Sequence, residues 1–321
     1  ITALCPISLL ERTSDLLRWK QKDPTFELPW ITHSFPILCD SSPLYLTPSV
    51  PDPLTETEEL DLRVAQQRLS KICHRCAEAG IPLVIDAEYA TLQPAVDYFT
   101  YSAAIQFNHG DQPMVYGTIQ AYLRDSRERM ANAVEAAERE GIPLGIKLVR
   151  GAYLTRETNL ASSLGVPSPI HGSIQETHQC FDNCAAFLLE RVRRGSGAIL
   201  LATHNVRSDE LGIGKEDQKL QFAQLLGMAD GLSLGLKNAG FQVSKYVPFG
   251  PVEQVIPYLL RRAEENRGLL STSAADRQLI RFVDSITLLD VSNFKLVTLL
   301  CCMYYRKELI RRLATAVIGR T

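Results

Sequence analysis

The sequence lacks the long apolar run of a membrane-spanning helix, because no uninterrupted apolar stretch reaches the ~18 residues that such a helix needs. It also lacks a strong charge of either sign. The 34 basic and 36 acidic residues give a net charge of −2, so there is no broad basic field for binding nucleic acid. We therefore expect a globular protein with no nucleic-acid partner.

Three short motifs that often identify a site are missing from the sequence. No G-x-G-x-x-G follows a predicted strand, so there is no dinucleotide fingerprint. The glycines at 231 and 235 do not stand before Lys237 at the spacing of a Walker loop, and there is no G-x-S-x-G nucleophile elbow. Any nucleotide cofactor must therefore bind on loops that no short motif reveals.

The eight cysteines do not form a disulfide framework in a chain of 321 residues, which favours a reducing compartment. Cys73 and Cys76 make a C-x-x-C inside a helical stretch. Because no second Cys or His pair stands at finger-like spacing, we predict no metal site. Cys180 and Cys184 are one helical turn apart and are expected to pack.

Short apolar runs alternate with amphipathic stretches along the chain. The predicted strands are Ile1–Leu4, Leu83–Ala87, Val115–Gln120, Leu144–Val149, Ile199–His204, Leu220–Ala223 and Val243–Val247. The predicted helices are Thr57–Ala79, Ala121–Gly141, Ile174–Arg194 and Pro251–Arg267, with a weaker helical stretch at Asp209–Leu211. Most strands are apolar on both faces, which favours a parallel sheet. The Pro-rich stretch 20–56 is expected to be an ordered loop with little regular structure.

Strand–helix–strand repetition predicts right-handed parallel crossovers, and two α/β architectures satisfy it: an open doubly wound sheet and a (β/α)₈ barrel. A barrel whose first strand precedes Ile1 would account for seven strands. The polar residues favour the barrel, since all its C-terminal strand ends converge on one face, which holds the active site. The residues at or just beyond the strand ends are Asp86, Glu88, Gln120, Lys147, Arg150, Thr203, His204, Asn205, Gln224, Lys245 and Tyr246.

Each of these residues alone could be a helix cap or a satisfied structural group, but so many polar groups on one face are costly to bury without a ligand. On the last predicted helix, Glu265 stands three and four residues after Arg262 and Arg261. An arginine held in this way is a rigid fork for a carboxylate. The alternative is an exposed, salt-bridged helix face.

Four longer motifs carry a resemblance to a known family. They are Leu83–Glu88 (LVIDAE), Lys147–Tyr153 (KLVRGAY), Ala202–Asn205 (ATHN) and Lys245–Asn266 (KYVPFGPVEQVIPYLLRRAEEN). With these motifs the chain resembles proline dehydrogenase from Ile1 to about Arg281, and the plant mitochondrial branch is the most similar.

The resemblance implies a distorted (β/α)₈ TIM barrel that binds FAD and oxidises L-proline to Δ1-pyrroline-5-carboxylate by hydride transfer. Electrons would pass to a membrane quinone, at the matrix side of the mitochondrial inner membrane. The implied FAD-binding residues are Gln120, Lys147, Arg150, Gly151, Ala152, Tyr153, Thr203, His204, Asn205 and Gln224.

The resemblance also implies a substrate site. Arg261 and Arg262 would bind the proline carboxylate, Glu265 would steady them, and Tyr246 and Tyr258 would pack against the pyrrolidine ring. The residues implied in catalysis are Asp86, Lys147 and Tyr246, with Asp86 beneath the substrate and paired with a lysine. Relatives selective for hydroxyproline carry a smaller residue in place of the ring-facing tyrosine, so Tyr246 favours proline, with hydroxyproline as the alternative substrate.

The sequence departs from the family pattern at its beginning. The family's strand-borne lysine lies immediately before the ITAL sequence, where this chain starts at Ile1. An opened barrel exposes strand edges, so we expect weak folding or weak FAD binding. A catalytically inactive barrel with a binding or regulatory role is the alternative. Equal flavin content with and without the preceding segment would contradict the expectation.

The second departure is near the end, and it sets the predicted domain boundaries. Residues 1–281 are predicted to be the catalytic barrel. Residues 282–306 are an apolar, β-branched insert that resembles a retained intron, and residues 307–321 would continue the C-terminal helix. A transcript that joins Arg281 directly to Lys307 would support this hypothesis.

Overall fold

A computed structural model of the protein describes residues 1–35, 37–195, 197–204 and 219–265. The chain divides into two compact units, Ile1–Phe222 and Ala223–Thr321. Several predictions fall outside the described residues. They concern Asn205, the weak helix at Asp209–Leu211, the insert 282–306 and the segment 307–321.

Helices alternate with strands through most of the described chain. The helices are α1 (Ile7–Lys22), α2 (Glu56–Ala79), α3 (Gln93–Phe107), α4 (Ser126–Glu140), α5 (Leu154–Ser163), α6 (Ile174–Arg193), α7 (Asp230–Asn238) and α8 (Val252–Glu265). The strands are β1 (Leu83–Val84), β2 (Val115–Gln120), β3 (Gly145–Val149), β4 (Ala198–Ala202), β5 (Leu220–Leu225) and β6 (Gln242–Tyr246). Among the described residues between α1 and α2, the regular structure is one 3₁₀ helix, Leu44–Leu46.

The first unit contains a parallel sheet in which β1, β2, β3 and β4 pair in chain order. The amide of Ile199 donates to the carbonyl of Lys219 at 2.8 Å, where β5 begins. In the second unit the amide of Leu226 donates to the carbonyl of Tyr246 at 3.0 Å, beside β6. All six residues of β2 are buried, as expected for a parallel strand covered on both faces.

The predicted strand at Ile1–Leu4 is wrong, because this segment forms a turn. The amide of Leu4 donates to the carbonyl of Ile1 at 2.7 Å, and the amide of Cys5 donates to the same carbonyl at 3.2 Å. The run is apolar enough for a strand, but its backbone bonds are local and Pro6 follows as the N-cap of α1. Apolar character alone therefore gave the wrong element.

Capping interactions explain where two of the long helices begin. Thr55 and Glu58 form a reciprocal capping box at the start of α2, and Ser173 and Glu176 form another at the start of α6. Each box satisfies backbone N–H groups that the first helical turn would otherwise leave without partners. The predicted starts of these helices, at 57 and 174, are therefore within one residue of the structure.

Packing around α3 forms much of the core of the first unit. This helix is buried almost all round, so it lacks the one-sided apolar stripe by which a surface helix is recognised. That property explains why sequence periodicity did not identify it. Among the described residues, no helix is both long and apolar enough to cross a lipid bilayer.

Candidate active site

The first cluster of candidate site residues is an ion pair between strand β3 and the loop that follows β1, two strands away in the sheet. Lys147, on β3, donates from Nζ to Oδ1 of Asp86, which follows β1. The lysine side chain is 17% exposed and the aspartate side chain is 63% exposed, so solvent reaches the pair mainly from the carboxylate. The sequence prediction gave Asp86 a lysine partner, and in this structure that partner is Lys147.

The second cluster surrounds Arg150, directly after β3. Its Nε donates to Nδ1 of His178 at 2.8 Å, and its Nη1 donates to Oγ1 of Thr203 at 2.7 Å. The guanidinium carbon also lies 4.2 Å from the ring centroid of Phe181. Burial lowers the pKa of Arg150, and the carboxylate of Asp182 acts in the opposite direction. The cation is thus held from three sides.

The third cluster joins the loops that follow β1, β2 and β3. Gln120 is 4% exposed, and its Nε2 donates to the carbonyl of Glu88 at 3.0 Å. Its Oε1 accepts a hydrogen bond from the amide of Ala152 at 3.2 Å. The hydroxyl of Tyr153 donates to Oε2 of Glu88 at 3.0 Å. These bonds fix the backbone of the loop that carries Ala152 and Tyr153.

Gly151 allows this loop to pass close to an aromatic ring. Its φ is +146°, a region that side chains rarely adopt, and a Cβ atom would stand 2.4 Å from the ring of Tyr122. Such an approach is open only to glycine. The loop Arg150–Tyr153 is therefore shaped by one residue without a side chain and by the amide bonds of Gln120.

Two more predicted residues of the first unit stand just beyond β4. Thr203 is 3% exposed and accepts the bond from Arg150 described above. His204 follows it and is half-buried. The structure thus brings Arg150 and Thr203 into direct contact, although 53 positions separate them in the chain.

In the second unit, two predicted substrate-binding tyrosines are neighbours. The ring centroids of Tyr246 and Tyr258 are 6.0 Å apart, with an angle of 48° between the ring planes. Tyr246 is 47% exposed. Arg261, Arg262 and Glu265 lie in α8, but their side chains are outside the described part of the structure.

The second unit also holds two predicted polar residues, Gln224 on β5 and Lys245 on β6. Lys245 donates from Nζ to Oδ1 of Asp230 and to the carbonyl of Met228, both at 2.8 Å. Gln224 is 3% exposed, and its Oε1 accepts a hydrogen bond from Ser233 at 2.8 Å. Its buried Nε2 has no partner among the described residues. A buried donor without an acceptor is costly, so this amide fits a ligand that accepts a hydrogen bond there.

Sequence reasoning missed two residues of the Arg150 cluster, His178 and Phe181. Both lie on α6, and His178 has no sequence neighbour whose spacing suggests a site. Their contacts with Arg150 depend on how α6 packs beside β3 and β4, which a single sequence does not reveal. Within the described residues, no group of three or more His, Cys, Asp and Glu side chains could hold a metal ion.

Comparison with known proteins identifies the family to which this chain is similar. A model of the family described as proline dehydrogenase matches residues 9–275. Proline dehydrogenase 1, mitochondrial, of Arabidopsis thaliana is 56% identical over 291 residues, which are 88% of this chain and 58% of that protein. Hydroxyproline dehydrogenase of Homo sapiens is 36% identical over 239 residues, which are 71% of this chain and 52% of that protein. The chain thus spans little more than half the length of these relatives.

A solved structure supports the same assignment at the level of the fold. Proline utilization A (PutA) from Bdellovibrio bacteriovorus, inactivated by N-propargylglycine, matches with a TM-score of 0.58 and 26% identity. The match covers 81% of this chain and 28% of that one. The predicted α/β fold class, a distorted TIM barrel, is confirmed. Because the family match runs from α1 through the strand ends and beyond the last described helix, this chain belongs to the proline dehydrogenase family.

Proposed function

We propose that this chain oxidises L-proline to Δ1-pyrroline-5-carboxylate, with FAD as the hydride acceptor and a membrane quinone as the final acceptor. The observation that carries the proposal is the family match over residues 9–275, which includes Asp86, Lys147, Arg150 and both tyrosines of the second unit. The related Arabidopsis protein is named a proline dehydrogenase.

The residues present fit FAD by their chemistry. The buried Nε2 of Gln224 offers a donor that has no acceptor among the described residues. Two cations lie in and just after β3, namely Lys147 within the strand and Arg150 directly beyond it. When bound, FAD would supply the acceptor for a hydride from the substrate. The residues proposed to hold it are Gln120, Lys147, Arg150, Gly151, Ala152, Tyr153, Thr203, His204, Asn205 and Gln224.

The protein's own contribution would be electrostatic and positional. Lys147 and Arg150 would place positive charge near the flavin, where fixed cations would stabilise the negative charge that develops during the reaction. Arg150 is held by three neighbours before any ligand binds, so little reorganisation is needed. Asp86 keeps Lys147 in place through their ion pair. No covalent bond between protein and substrate is required.

Substrate recognition is proposed for the second unit's residues. Arg261 and Arg262 would bind the carboxylate of proline, with Glu265 steadying them. The close pair Tyr246 and Tyr258 offers aromatic surface for the pyrrolidine ring.

Hydroxyproline is the second candidate substrate, because a human hydroxyproline dehydrogenase is 36% identical to this chain. Tyr246 favours proline, since a bulky ring leaves less room for an added hydroxyl group. Turnover of L-proline and of trans-4-hydroxy-L-proline should be compared in the wild type and in Tyr246→Ser. We expect the wild type to prefer proline and the variant to lose that preference.

We infer a mitochondrial location from the names of the Arabidopsis relatives, which both include the word mitochondrial. A quinone acceptor dissolved in the membrane would place the protein at the matrix face of the inner membrane. Fractionation of the organelle, followed by a salt wash of the membranes, tests this location.

The flavin absorbance spectrum before and after L-proline is added tests the proposed activity directly. We expect the chain supplied with FAD to be yellow, and this colour to bleach with L-proline but not with D-proline. Bound FAD that L-proline leaves oxidised would overturn the proposal and favour a catalytically inactive barrel with a binding or regulatory role.

A further inference from the structure

We infer that His178 is a positioning residue for Arg150: by accepting the Nε–H bond, it fixes the guanidinium in the orientation needed at the flavin. This inference rests on the proposed function. The geometry on which it stands is the 2.8 Å distance from Arg150 Nε to His178 Nδ1.

Several side chains on α6 together hold the guanidinium of Arg150. His178 and Phe181 stand three residues apart, so they occupy the same side of the helix, and both contact Arg150. Asp182, four residues after His178, contributes a carboxylate whose charge opposes the effect of burial on Arg150. Its Oδ1 is buried and has no hydrogen-bond partner among the described residues. One helical turn thus supplies an acceptor, an aromatic face and a counter-charge.

The hydrogen bond from Arg150 determines the tautomer and the charge of His178. A guanidinium has only N–H donors and keeps its proton in proteins, so Nδ1 of His178 must be the acceptor. The ring proton then resides on Nε2, and the imidazole is neutral while the bond exists. A neutral imidazole with Nδ1 facing Arg150 is a specific requirement that a purely space-filling side chain would not have.

The hydrogen bond to His178 also determines the directions in which the other N–H groups of Arg150 point. Nε donates to His178 and one N–H of Nη1 donates to Thr203, which uses two of the five N–H donors of a guanidinium. Because the group is planar, two fixed bonds set the plane and hence the directions of the remaining donors. The structure therefore assigns to His178 the orientation of donors that a bound flavin would meet.

Variants of His178 separate positioning from packing. His178→Asn retains a hydrogen-bond acceptor near the position of Nδ1, whereas His178→Leu fills similar space without an acceptor. Gln179→Ala, at the exposed neighbouring position on α6, is the matched control. Thermal unfolding of each variant identifies any that do not fold.

Reduction potentials and steady-state kinetics of the FAD-loaded chain supply the readouts. We expect His178→Leu to lower the flavin potential and to reduce kcat for proline oxidation on the order of tenfold, with KM for proline changed less than twofold. His178→Asn should recover most of both losses, and Gln179→Ala should match the wild type.

A double-mutant cycle with Arg150→Lys tests whether His178 acts through Arg150. The effect of His178→Leu on kcat should nearly vanish in the Arg150→Lys background, because the Nε–H donor is already lost. In the flavin-free protein, nitrogen NMR of the imidazole should show the Nε2–H tautomer at neutral pH. Equal potentials in the wild type and His178→Leu, or full additivity in the cycle, would overturn the inference.

The two proposals fail in different ways. A wild-type chain that binds no FAD, or that binds FAD and does not oxidise proline, overturns the proposed function and this inference with it. An active wild type with an unaltered His178→Leu variant overturns the inference alone.

Discussion

Asp97 and Arg129 form an almost completely buried ion pair in the first unit. Oδ2 of Asp97 accepts from Nη2 of Arg129, and its Oδ1 accepts from Nε2 of Gln93 at 2.7 Å. Burial raises the pKa of Asp97 to about 6, although Arg129 opposes that rise. Burial alone would lower the pKa of Arg129, but Asp97 and Asp125 outweigh burial and raise it. The aspartate is therefore the member of the pair whose pKa is shifted toward neutrality.

The raised pKa of Asp97 predicts a pH dependence of stability. Between pH 4 and pH 6 the folded protein holds this proton more tightly than the unfolded chain, whose Asp has an ordinary pKa of 3.8, so the free energy of unfolding falls as pH rises. Urea unfolding of the wild type and of Asp97→Asn should show the wild type losing stability relative to the variant across this range. A relative gain across the range would contradict the prediction.

Lys147 should matter for activity far more than for stability. Its partner Asp86 is 63% exposed, and ion pairs that solvent reaches contribute ~0–1 kcal/mol. We expect Lys147→Met to change the free energy of unfolding by less than ~1 kcal/mol. We expect it to lower kcat for proline oxidation on the order of 100-fold, since a fixed cation is removed. Lys219→Met, outside the described clusters, is the control.

Some contacts of the candidate site could be predicted from the sequence and others could not. Asp86 and Arg150 stand at or just beyond predicted strand ends, and Lys147 stands two residues before one, so their shared edge of the sheet followed from the parallel repeat. The contact between Arg150 and His178 spans 28 positions and joins a strand end to the side of a helix. That contact depends on the rotation of α6 about its axis, which neither spacing nor composition specifies.

At the scale of elements, the entry to β4 depends on a close approach between backbones. Gly197 has φ +73°, and a Cβ atom there would stand 2.3 Å from the carbonyl oxygen of Leu144. That oxygen accepts the amide of Ala198 at 2.9 Å, in the register that joins β3 to β4. A side chain at 197 would therefore push against a bond that aligns two strands.

A pair of glycine substitutions separates this clash from ordinary backbone strain. Gly195 has φ +87° but open space around the position of a Cβ atom, so Gly195→Ala should cost ~1–2 kcal/mol. Gly197→Ala should cost ~4 kcal/mol or more, because strain and a backbone clash add. Chemical denaturation of both variants measures the difference, and equal losses would show that the strands adjust freely.

The element predictions succeeded where a local signal was strong. The α2 and α6 starts carry capping boxes, and the buried strands carry dense apolar runs. The prediction failed at Ile1–Leu4, where the same apolar character occurs in a turn, and α3 lacked a one-sided pattern because it is buried all round. Whether a segment is buried depends on residues far away in the chain. The turn at Ile1–Leu4 and the helix α3 could therefore not be predicted from their own sequences.

At the scale of the whole molecule, binding of FAD should stabilise the protein through mass action. A ligand that binds only the folded state adds ~2.7 kcal/mol at 100 times its dissociation constant. The thermal unfolding midpoint of flavin-free protein should therefore rise steadily with FAD concentration. AMP, which lacks the flavin ring, is the control ligand. A midpoint that does not respond to FAD would contradict the proposed cofactor.

The strands β1 to β4 pair in the order in which they occur in the chain. On a ribosome, each of these strands emerges when its neighbour has already been synthesised, so the sheet can grow by addition at one edge. Loop closure then spans only one crossover at a time, which keeps its entropic cost low. The growing edge nevertheless stays open between additions, and chaperones that shield nascent chains would be needed most in those intervals.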